Sequence, residues 1–332
     1  LTGRRLSESE IIAIVREMTP ADEPGVMVPV GDDAAQFHFS GGDVLLSTDS
    51  MYEGVHFDLD SCTLSDVGWK AMVAGVSDIG AMGGQPLCAL LSVAFGEAPL
   101  RSEVVSLMDG VLEMLASCHC ALVGGDVSRS VSGLSLTATV AGTPPPTGPV
   151  RRGGAARGDI LGVTGTVGDS AAGLLILERG SDALRGGYPD LVEAHLRPRP
   201  RVLAGGILAA AGVSAMEDVS DGLAVDLCHI CEESGLGCEI EEGLVPVSAE
   251  AVALGRELGV DPRDWALAGG EDYELVFTAP PGRFEKATRI LGDHGIVAAR
   301  VGVMKASEAG RVAIKSDGTR RELKGMGYEH FA

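Results

Sequence analysis

Short apolar runs alternate with helical spacings along this chain, and each switch between the two periods marks an element. Val44-Leu45-Leu46 reads as a buried strand that ends in Ser47-Thr48-Asp49. Residues 87–95 predict a second strand, and residues 134–141 alternate as a third. Ala121-Leu122-Val123 predicts a short strand ending in Gly124-Gly125-Asp126, the same device of a carboxylate at a strand tip. Helical spacing appears at Ile11, Ile12, Val15 and Met18, behind the capping box Ser7-Glu8-Ser9-Glu10. It recurs at Trp69, Met72, Val73 and Val76, with Ser65 or Asp66 as the cap, and again over residues 102–118. Pro144-Pro145-Pro146 and Pro149 then interrupt the pattern, which places a domain boundary there and divides the chain into 1–145 and 146–332. Beyond it come a strand through Val163, a helix over 171–178, a helix over 223–233 and a strand over 275–278. Strands alternating with helices predict an α/β protein.

The polar residues between these elements carry the chemistry. Asp32 and Asp33 lie on a turn begun by Gly31, upstream of Asp49. Asp78 follows Ser77 inside a helix whose neighbours are apolar and small; a buried carboxylate there is either a hydrogen-bond acceptor or a metal ligand. Asp126, Asp218 and Asp221 complete a set of acids set beside Gly, Ser, Thr or a second Asp. Asp221 opens the helix 223–233 and reads equally as an N-cap. Val219-Ser220-Asp221 echoes Val76-Ser77-Asp78, which suggests an internal duplication. Adjacent carboxylates repel unless a hard cation binds them, so carboxylates and hydroxyls with few lysines point to Mg²⁺-assisted handling of phosphates. No Lys follows a Gly, so a Walker-type phosphate loop is absent. Gly165-Thr166-Val167-Gly168-Asp169-Ser170, feeding a helix, is a weaker anion seat.

Composition narrows the field. The chain has 332 residues, 45% of them hydrophobic and only 4% aromatic, with 47 Gly, which suggests close-packed units with many turns. A net charge of −21 repels nucleic acid and anionic membranes, and neither is expected as a partner. An anionic substrate then needs metal ions or a local cationic cluster, and Leu196-Arg197-Pro198-Arg199-Pro200-Arg201 is the dense one. That stretch also reads as a solvated connector. Seven scattered Cys argue against a disulfide framework, and the pairs at Cys118/Cys120 and Cys228/Cys231 read as buried thiols rather than zinc ligands. No apolar run is long enough to span a bilayer, and the first residues lack a signal peptide's apolar stretch, so a cytoplasmic protein is expected.

Seven motifs stand in one order: Gly31-Asp32-Asp33-Ala34-Ala35, Ser47-Thr48-Asp49, Glu53-Gly54-Val55-His56-Phe57, Ser77-Asp78-Ile79-Gly80-Ala81-Met82-Gly83, Gly124-Gly125-Asp126, Asp218-Val219-Ser220-Asp221-Gly222 and Gly269-Gly270-Glu271-Asp272-Tyr273-Glu274. Together they resemble the thiamine-monophosphate kinase family, within the superfamily of aminoimidazole ribonucleotide synthetase. The resemblance runs from about residue 7 to Phe331. It implies a two-domain architecture with α+β-type mixed sheets, a homodimer paired through its N-terminal domains, and a site between domains near that interface. It implies phosphorylation of thiamine monophosphate to thiamine diphosphate, with ATP as donor and several Mg²⁺ ions, by direct transfer. By motif, Asp33, Ser47, Thr48, Asp49, Asp78, Asp126, Asp218 and Asp221 would be metal ligands, with Asp49, Asp78, Asp126 and Arg152 at the chemistry. Gly125, Arg152 and Ser220 would meet ATP, and His56, Glu271 and Tyr328 the thiamine moiety. Met108 stands where the family often has an aromatic beside the nucleotide. The rival readings are a sibling ATP-dependent synthetase and a non-catalytic metal-binding dimer.

Overall fold

The computed structural model describes residues 26–28, 35–39, 42–179 and 182–328. The expected helix at Ile11 to Met18 and the Asp32-Asp33 turn lie outside them, as does Phe331.

The first half builds one six-stranded sheet from β1 (Val26–Val28), β2 (Ala35–Phe39), β3 (Gly42–Tyr52), β4 (Gln85–Phe95), β5 (Ala121–Arg129) and β6 (Ser135–Thr143), in the order β1-β2-β3-β6-β4-β5. Only β4 and β5 run parallel; the other pairs are antiparallel. Alternation decides the faces. Leu45, Ser47 and Met51 turn inward, while Leu46, Thr48 and Tyr52 turn outward and are exposed. The inner face packs against α1 (Leu64–Ala81) and α2 (Arg101–Ser117), and Met72, Val73, Val76, Val111 and Met114 fill the space between.

The second half forms a seven-stranded sheet from β7 (Ile160–Thr164), β8 (Ala215–Asp218), β9 (Leu236–Glu241), β10 (Leu275–Ala279), β11 (Ala298–Ala306), β12 (Arg311–Ile314) and β13 (Arg320–Glu322). Its order is β13-β12-β9-β11-β7-β10-β8, with β9 and β12 the parallel pair. Helices α3 (Asp169–Arg179), α4 (Asp182–Gly187), α5 (Pro189–Leu196), α6 (Val202–Ala211), α7 (Leu223–Ser234), α8 (Ala249–Leu258), α9 (Pro262–Ala268) and α10 (Pro281–Asp293) surround it. Leu227 and Ile230 of α7 pack with Val163, Val276 and Met304; Phe277, Leu208 and Phe284 form a second core.

Contacts at several points join the halves. Tyr273, from the second half, is buried in the first half's core. Helices α1 and α6 approach backbone to backbone: a Cβ on Gly205 would stand 1.9 Å from the Gly80 carbonyl oxygen, so only glycine fits. Arg197 clasps the N-terminus of α1, donating to Asp66 Oδ1 at 2.8 Å, Ser65 Oγ at 2.7 Å and Glu113 Oε2 at 2.7 Å. Its guanidinium lies 5.4 Å from the Trp69 ring centre, and Trp69 Nε1 donates to the Pro198 carbonyl at 2.7 Å.

Several expectations are corrected here. The cap of α1 is Thr63, in a reciprocal box with Asp66, rather than Ser65 or Asp66 itself. The Arg-rich stretch is neither a phosphate trap nor a loose connector at Arg197 and Arg201, because both side chains are engaged by the protein's own carboxylates. The echo of Val-Ser-Asp is not structural: Ser77 and Asp78 lie on α1, whereas Ser220 and Asp221 lie in the loop after β8. Neither Asp49 nor Asp126 ends its strand. Ladder pairing carries β3 on to Tyr52 and β5 on to Arg129, through residues whose polarity hid the strand. All seven Cys are free thiols.

Candidate active site

Strand β3 and the last turn of α1 bring hydroxyl and carboxylates together. Ser47 Oγ is within hydrogen-bonding distance of Asp49 Oδ2, at 3.2 Å, and makes a shorter bond to Asp78 Oδ2. Ser47 and Asp49 share a face because they are two apart on a strand. Gly75 on α1 lets the helix lie against them: a Cβ there would be 3.4 Å from Asp49 Oδ2 and 2.9 Å from the Val140 side chain.

The second half closes over this knot. Asp218, at the end of β8, is buried, and the loop 269–274 is fastened beside it. Tyr273 N–H donates to the Val219 carbonyl at 2.9 Å, Glu271 N–H to the Ser220 carbonyl at 2.8 Å, and Val219 N–H to the Glu274 carbonyl at 2.8 Å. Glu271 and Tyr273 hold φ of 66° and 51°, the left-handed region that non-glycine residues occupy at some cost. Burial raises the Tyr273 phenol well above its ordinary value, and the charges of Glu271, Asp218, Asp49 and Asp78 add to the shift. Carboxylates from both halves therefore converge on one un-ionised phenol.

Beside it lies a second group. Lys70 Nζ donates to Glu271 Oε2 at 2.7 Å and stands 3.3 Å from His195 Nε2, while His195 Nδ1 is 3.1 Å from Ser170 Oγ. Burial and the Lys70 charge hold His195 down at about 4, so the ring is neutral near pH 7. Burial raises Glu271, but the charge and hydrogen bond of Lys70 and the smaller pulls of the neighbouring His195 and His56 together outweigh it, and the carboxyl ends below its ordinary value. His56 Nδ1 accepts from the Tyr52 N–H at 3.1 Å, which turns the ring on its loop.

Arg152 is aimed by a buried acid. Its Nη2 lies 3.0 Å from Glu217 Oε1, the atom that also meets His229 Nδ1 at 2.8 Å. Ligand atoms of Glu217, Asp226 and His229 all lie within 4.8 Å of one another. Burial raises Asp226 well above the ordinary carboxyl value, with Glu217, Asp221 and Asp218 adding and Arg152 opposing. Asp226 Oδ2 accepts the N–H of Gly222, which is the N-cap of α7; Asp221 is not the cap.

A cavity of about 380 Å³ opens at the edge of the first sheet, lined by Met108, Leu91, Val93, Leu122, Gly125 and Asp126 among others. Gly125 is required there, since a Cβ would fall 1.8 Å from the Leu91 carbonyl oxygen.

The structure thus joins Ser47, Asp49 and Asp78; the charges of Asp49, Asp78, Asp218 and Glu271 all act on the Tyr273 phenol, and His56 acts on Glu271. It puts Arg152 on Glu217 nearby, and Tyr328 N–H donates to the Asp221 carbonyl at 3.1 Å. Thr48 is not in the knot: it faces outward, bonding the Ala138 carbonyl and Thr139 Oγ1. Asp126 is paired with Ser92 and lies at the cavity wall instead. Asp33 lies outside the described residues. The turn 165–170 is no anion seat, because the Asp272 carboxylate already accepts from Gly168 and Ser170 N–H at 2.6 and 3.1 Å. The sequence reading missed Lys70, His195, Glu217, His229 and Tyr273. Lys70 had a signal, a lone cation at a position where the helix is otherwise apolar.

The chain matches the AIR synthase related protein N-terminal domain over residues 31–143 and the corresponding C-terminal domain over residues 156–315. It is 33% identical over 323 residues to the thiamine-monophosphate kinase of Bacillus subtilis (strain 168), covering 96% of this chain and 98% of that one. It is 36% identical over 334 residues to the thiamine-monophosphate kinase of Escherichia coli (strain K12), covering 98% of each. Among solved structures, AaThiL complexed with AMPPCP and TMP superposes with a TM-score of 0.86 at 31% identity, over 100% of both chains.

Proposed function

The chain belongs to the thiamine-monophosphate kinase family of AIR synthase related proteins, and from that membership we propose that it transfers the terminal phosphoryl group of ATP onto thiamine monophosphate, giving thiamine diphosphate and ADP. The observation that carries the reading is the hydrogen-bonded knot of Ser47, Asp49 and Asp78, facing Asp218 across Tyr273, with Glu271 and His56 alongside.

The donor set suits Mg²⁺. The bonds of the knot join hydroxyl and carboxylate oxygens, which are the hard ligands this ion takes, and the carboxylate charges act on one phenol. Ser47, Asp49, Asp78, Asp218 and Asp221 would hold the ions, with Asp33 a further candidate from the sequence. Thr48 and Asp126, expected by motif as further ligands, lie outside the hydrogen-bonded knot, and Asp126 with Gly125 and Met108 is the proposed wall of the nucleotide seat. Bound there, the ions supply the charge neutralisation that two polyanionic substrates need to approach.

The chain's own residues do the positioning. Arg152, locked by Glu217, presents a cation to the ATP phosphates, and Ser220 lines the same approach. Glu271 and His56 face the thiamine moiety, and Tyr328 closes that side. Tyr273 keeps its proton at neutral pH and adds no charge of its own among the acids. The acceptor oxygen of a phosphate monoester is already ionised near pH 7, so no side chain has to remove a proton. In-line alignment of donor and acceptor then accounts for catalysis, without a phosphoenzyme.

The same reading extends to assembly. The exposed outer face of the first sheet carries Leu46, Tyr52 and Leu90, an apolar surface that a second copy would cover, and we propose a homodimer paired there. We place the domain division between residues 145 and 146, supported by the end of β6 at Thr143 and the start of β7 at Ile160. Among the described residues no helix is long and apolar enough to cross a membrane. A cytoplasmic location suits an enzyme that draws on ATP.

ADP release in three mixtures tests the proposal: ATP alone, ATP with thiamine monophosphate, and ATP with free thiamine. Rapid release only with the monophosphate is expected. Release that ignores thiamine monophosphate favours a sibling synthetase, and no release in any mixture favours a non-catalytic metal-binding dimer.

A further inference from the structure

We propose that Lys70 is a positioning residue for the acceptor: braced by His195, its ammonium fixes the Glu271 carboxylate so that the second oxygen is presented to the thiamine moiety. The inference rests on the reading above that Glu271 meets that moiety.

Lys70 belongs to the buried face of α1, with only 4% of its surface exposed, and its neighbours in the helix are the core residues Trp69, Ala71, Met72 and Val73. For stability alone an aliphatic side chain would serve there as well or better, because a buried ion pair recovers little more than its desolvation cost. The ammonium is nonetheless spent across the boundary between the halves, on Glu271 Oε2 at 2.7 Å. Glu271 needs such an anchor. Its backbone is held in the left-handed region at φ 66°, a conformation that persists only where surrounding contacts fix it.

His195 completes the brace. Lys70 has no acceptor capacity, so at 3.3 Å it donates to Nε2, which puts the ring's proton on Nδ1, facing Ser170 Oγ at 3.1 Å. A neutral His195 therefore accepts from Lys70 and does not compete with it as a charge. Both Lys70 and His195 lie almost entirely out of water, whereas the Glu271 side chain keeps 28% of its surface exposed. Oε2 is tied down inside the protein, while part of the Glu271 side chain stays reachable from outside. A fixed, ionised carboxylate complements the permanently positive thiazolium ring and the amino group of the pyrimidine. Its value lies in orientation, since a carboxylate free to rotate loses affinity to the cost of ordering it.

The test uses the full chain carrying Lys70→Met, Lys70→Arg, Glu271→Gln and the double change Lys70→Met with Glu271→Gln. For each protein KM for thiamine monophosphate, KM for ATP, kcat and the melting temperature are measured. Lys70→Met is expected to raise KM for thiamine monophosphate about tenfold, the size of one lost charge-assisted contact, with KM for ATP within about twofold of wild type. Lys70→Arg should recover part of the loss. The double variant should be no worse than Glu271→Gln alone, because Lys70 acts only through Glu271. It also leaves neither charge unpaired, so it stays folded if Lys70→Met alone does not. An unchanged acceptor KM in Lys70→Met, or KM values for both substrates rising together as the melting temperature falls, overturns the inference. So do additive losses in the double variant. An unchanged acceptor KM in Glu271→Gln is a different failure: it removes the contact between Glu271 and thiamine on which the inference rests.

Discussion

Asp78→Asn separates a metal ligand from a structural acceptor. Ser47 has one hydroxyl proton and two carboxylates in reach, Asp49 Oδ2 at 3.2 Å and Asp78 Oδ2 closer still. Only one of them can receive that proton, and the other faces its neighbour with no shield from Ser47. Two unit charges about 5 Å apart at an effective dielectric near 20 repel by about 3 kcal/mol. Asp49 and Asp78 are both half-buried, and screening by the solvent they still see reduces this to about 1 kcal/mol. Asparagine keeps the shape of Asp78, removes one charge and supplies an N–H donor to the knot. Without divalent cations the variant should therefore melt no lower than wild type, and up to about 2 °C higher. With ligands the order reverses. A ligand at a hundredfold excess over its Kd stabilises wild type by about 2.7 kcal/mol, roughly a 5 °C rise in a protein of this size. Asp78→Asn should show less than half of that rise and lose most of its kinase activity, about a hundredfold. Melting curves in EDTA and in Mg²⁺ with a non-hydrolysable ATP analogue, run beside turnover, read both effects. A variant that melts several degrees lower in EDTA yet keeps its activity and its Mg²⁺-dependent rise would show that Asp78 only accepts the Ser47 hydrogen bond.

Three further outcomes follow from single features. His195 sits at about 4 in the fold against 6.5 for an unperturbed ring, so the unfolded chain takes up a proton first as the pH falls. That uptake removes stability between about pH 6.5 and 4, by at most about 3 kcal/mol; Glu271, shifted downward, adds a loss in the same direction at lower pH. His195→Gln, which keeps an acceptor for Lys70 and a donor for Ser170, should flatten the fall in melting temperature over that window, and an unchanged pH profile would count against a buried neutral ring. Gly125→Ala would put a Cβ 1.8 Å from the Leu91 carbonyl oxygen and should destabilise by about 2–3 kcal/mol in denaturant titrations while raising KM for ATP. Light scattering should find a dimer at micromolar concentration, and Leu90→Lys on the exposed outer face should yield monomer; a fully active wild-type monomer would contradict the proposed pairing.

Periodicity reported the elements well wherever one face was apolar. Residues 87–95 and 102–118 were legible because Ala89, Leu91 and Val93 alternate on β4, and Leu107, Val111 and Met114 keep helical spacing on α2. It failed where strands run on through polar residues: beyond Asp49 the ladder is held by backbone bonds to β6, and the hydroxyls of Ser50 and Thr137, 2.7 Å apart, leave no hydrophobic trace. The acids of the knot were legible as a set because each stands beside a small or hydroxyl residue. Their sorting was not. Thr48 and Ser47 differ by one position, yet opposite faces of the sheet separate them, and sequence adjacency says nothing about that. The partners that aim the site were the hardest to find. Glu217 acts on Arg152 and Lys70 on Glu271 across 65 and 201 positions, so no local pattern links them.

The most direct measurement of the central claim is product identity by phosphorus NMR. Purified protein, Mg²⁺, ATP and thiamine monophosphate in equal amounts should give ADP and thiamine diphosphate in step, one for one, with little inorganic phosphate and no turnover of free thiamine in a parallel tube. ADP accompanied by inorganic phosphate without the diphosphate, or free thiamine phosphorylated as fast as its monophosphate, would contradict direct transfer to a phosphate acceptor at this site.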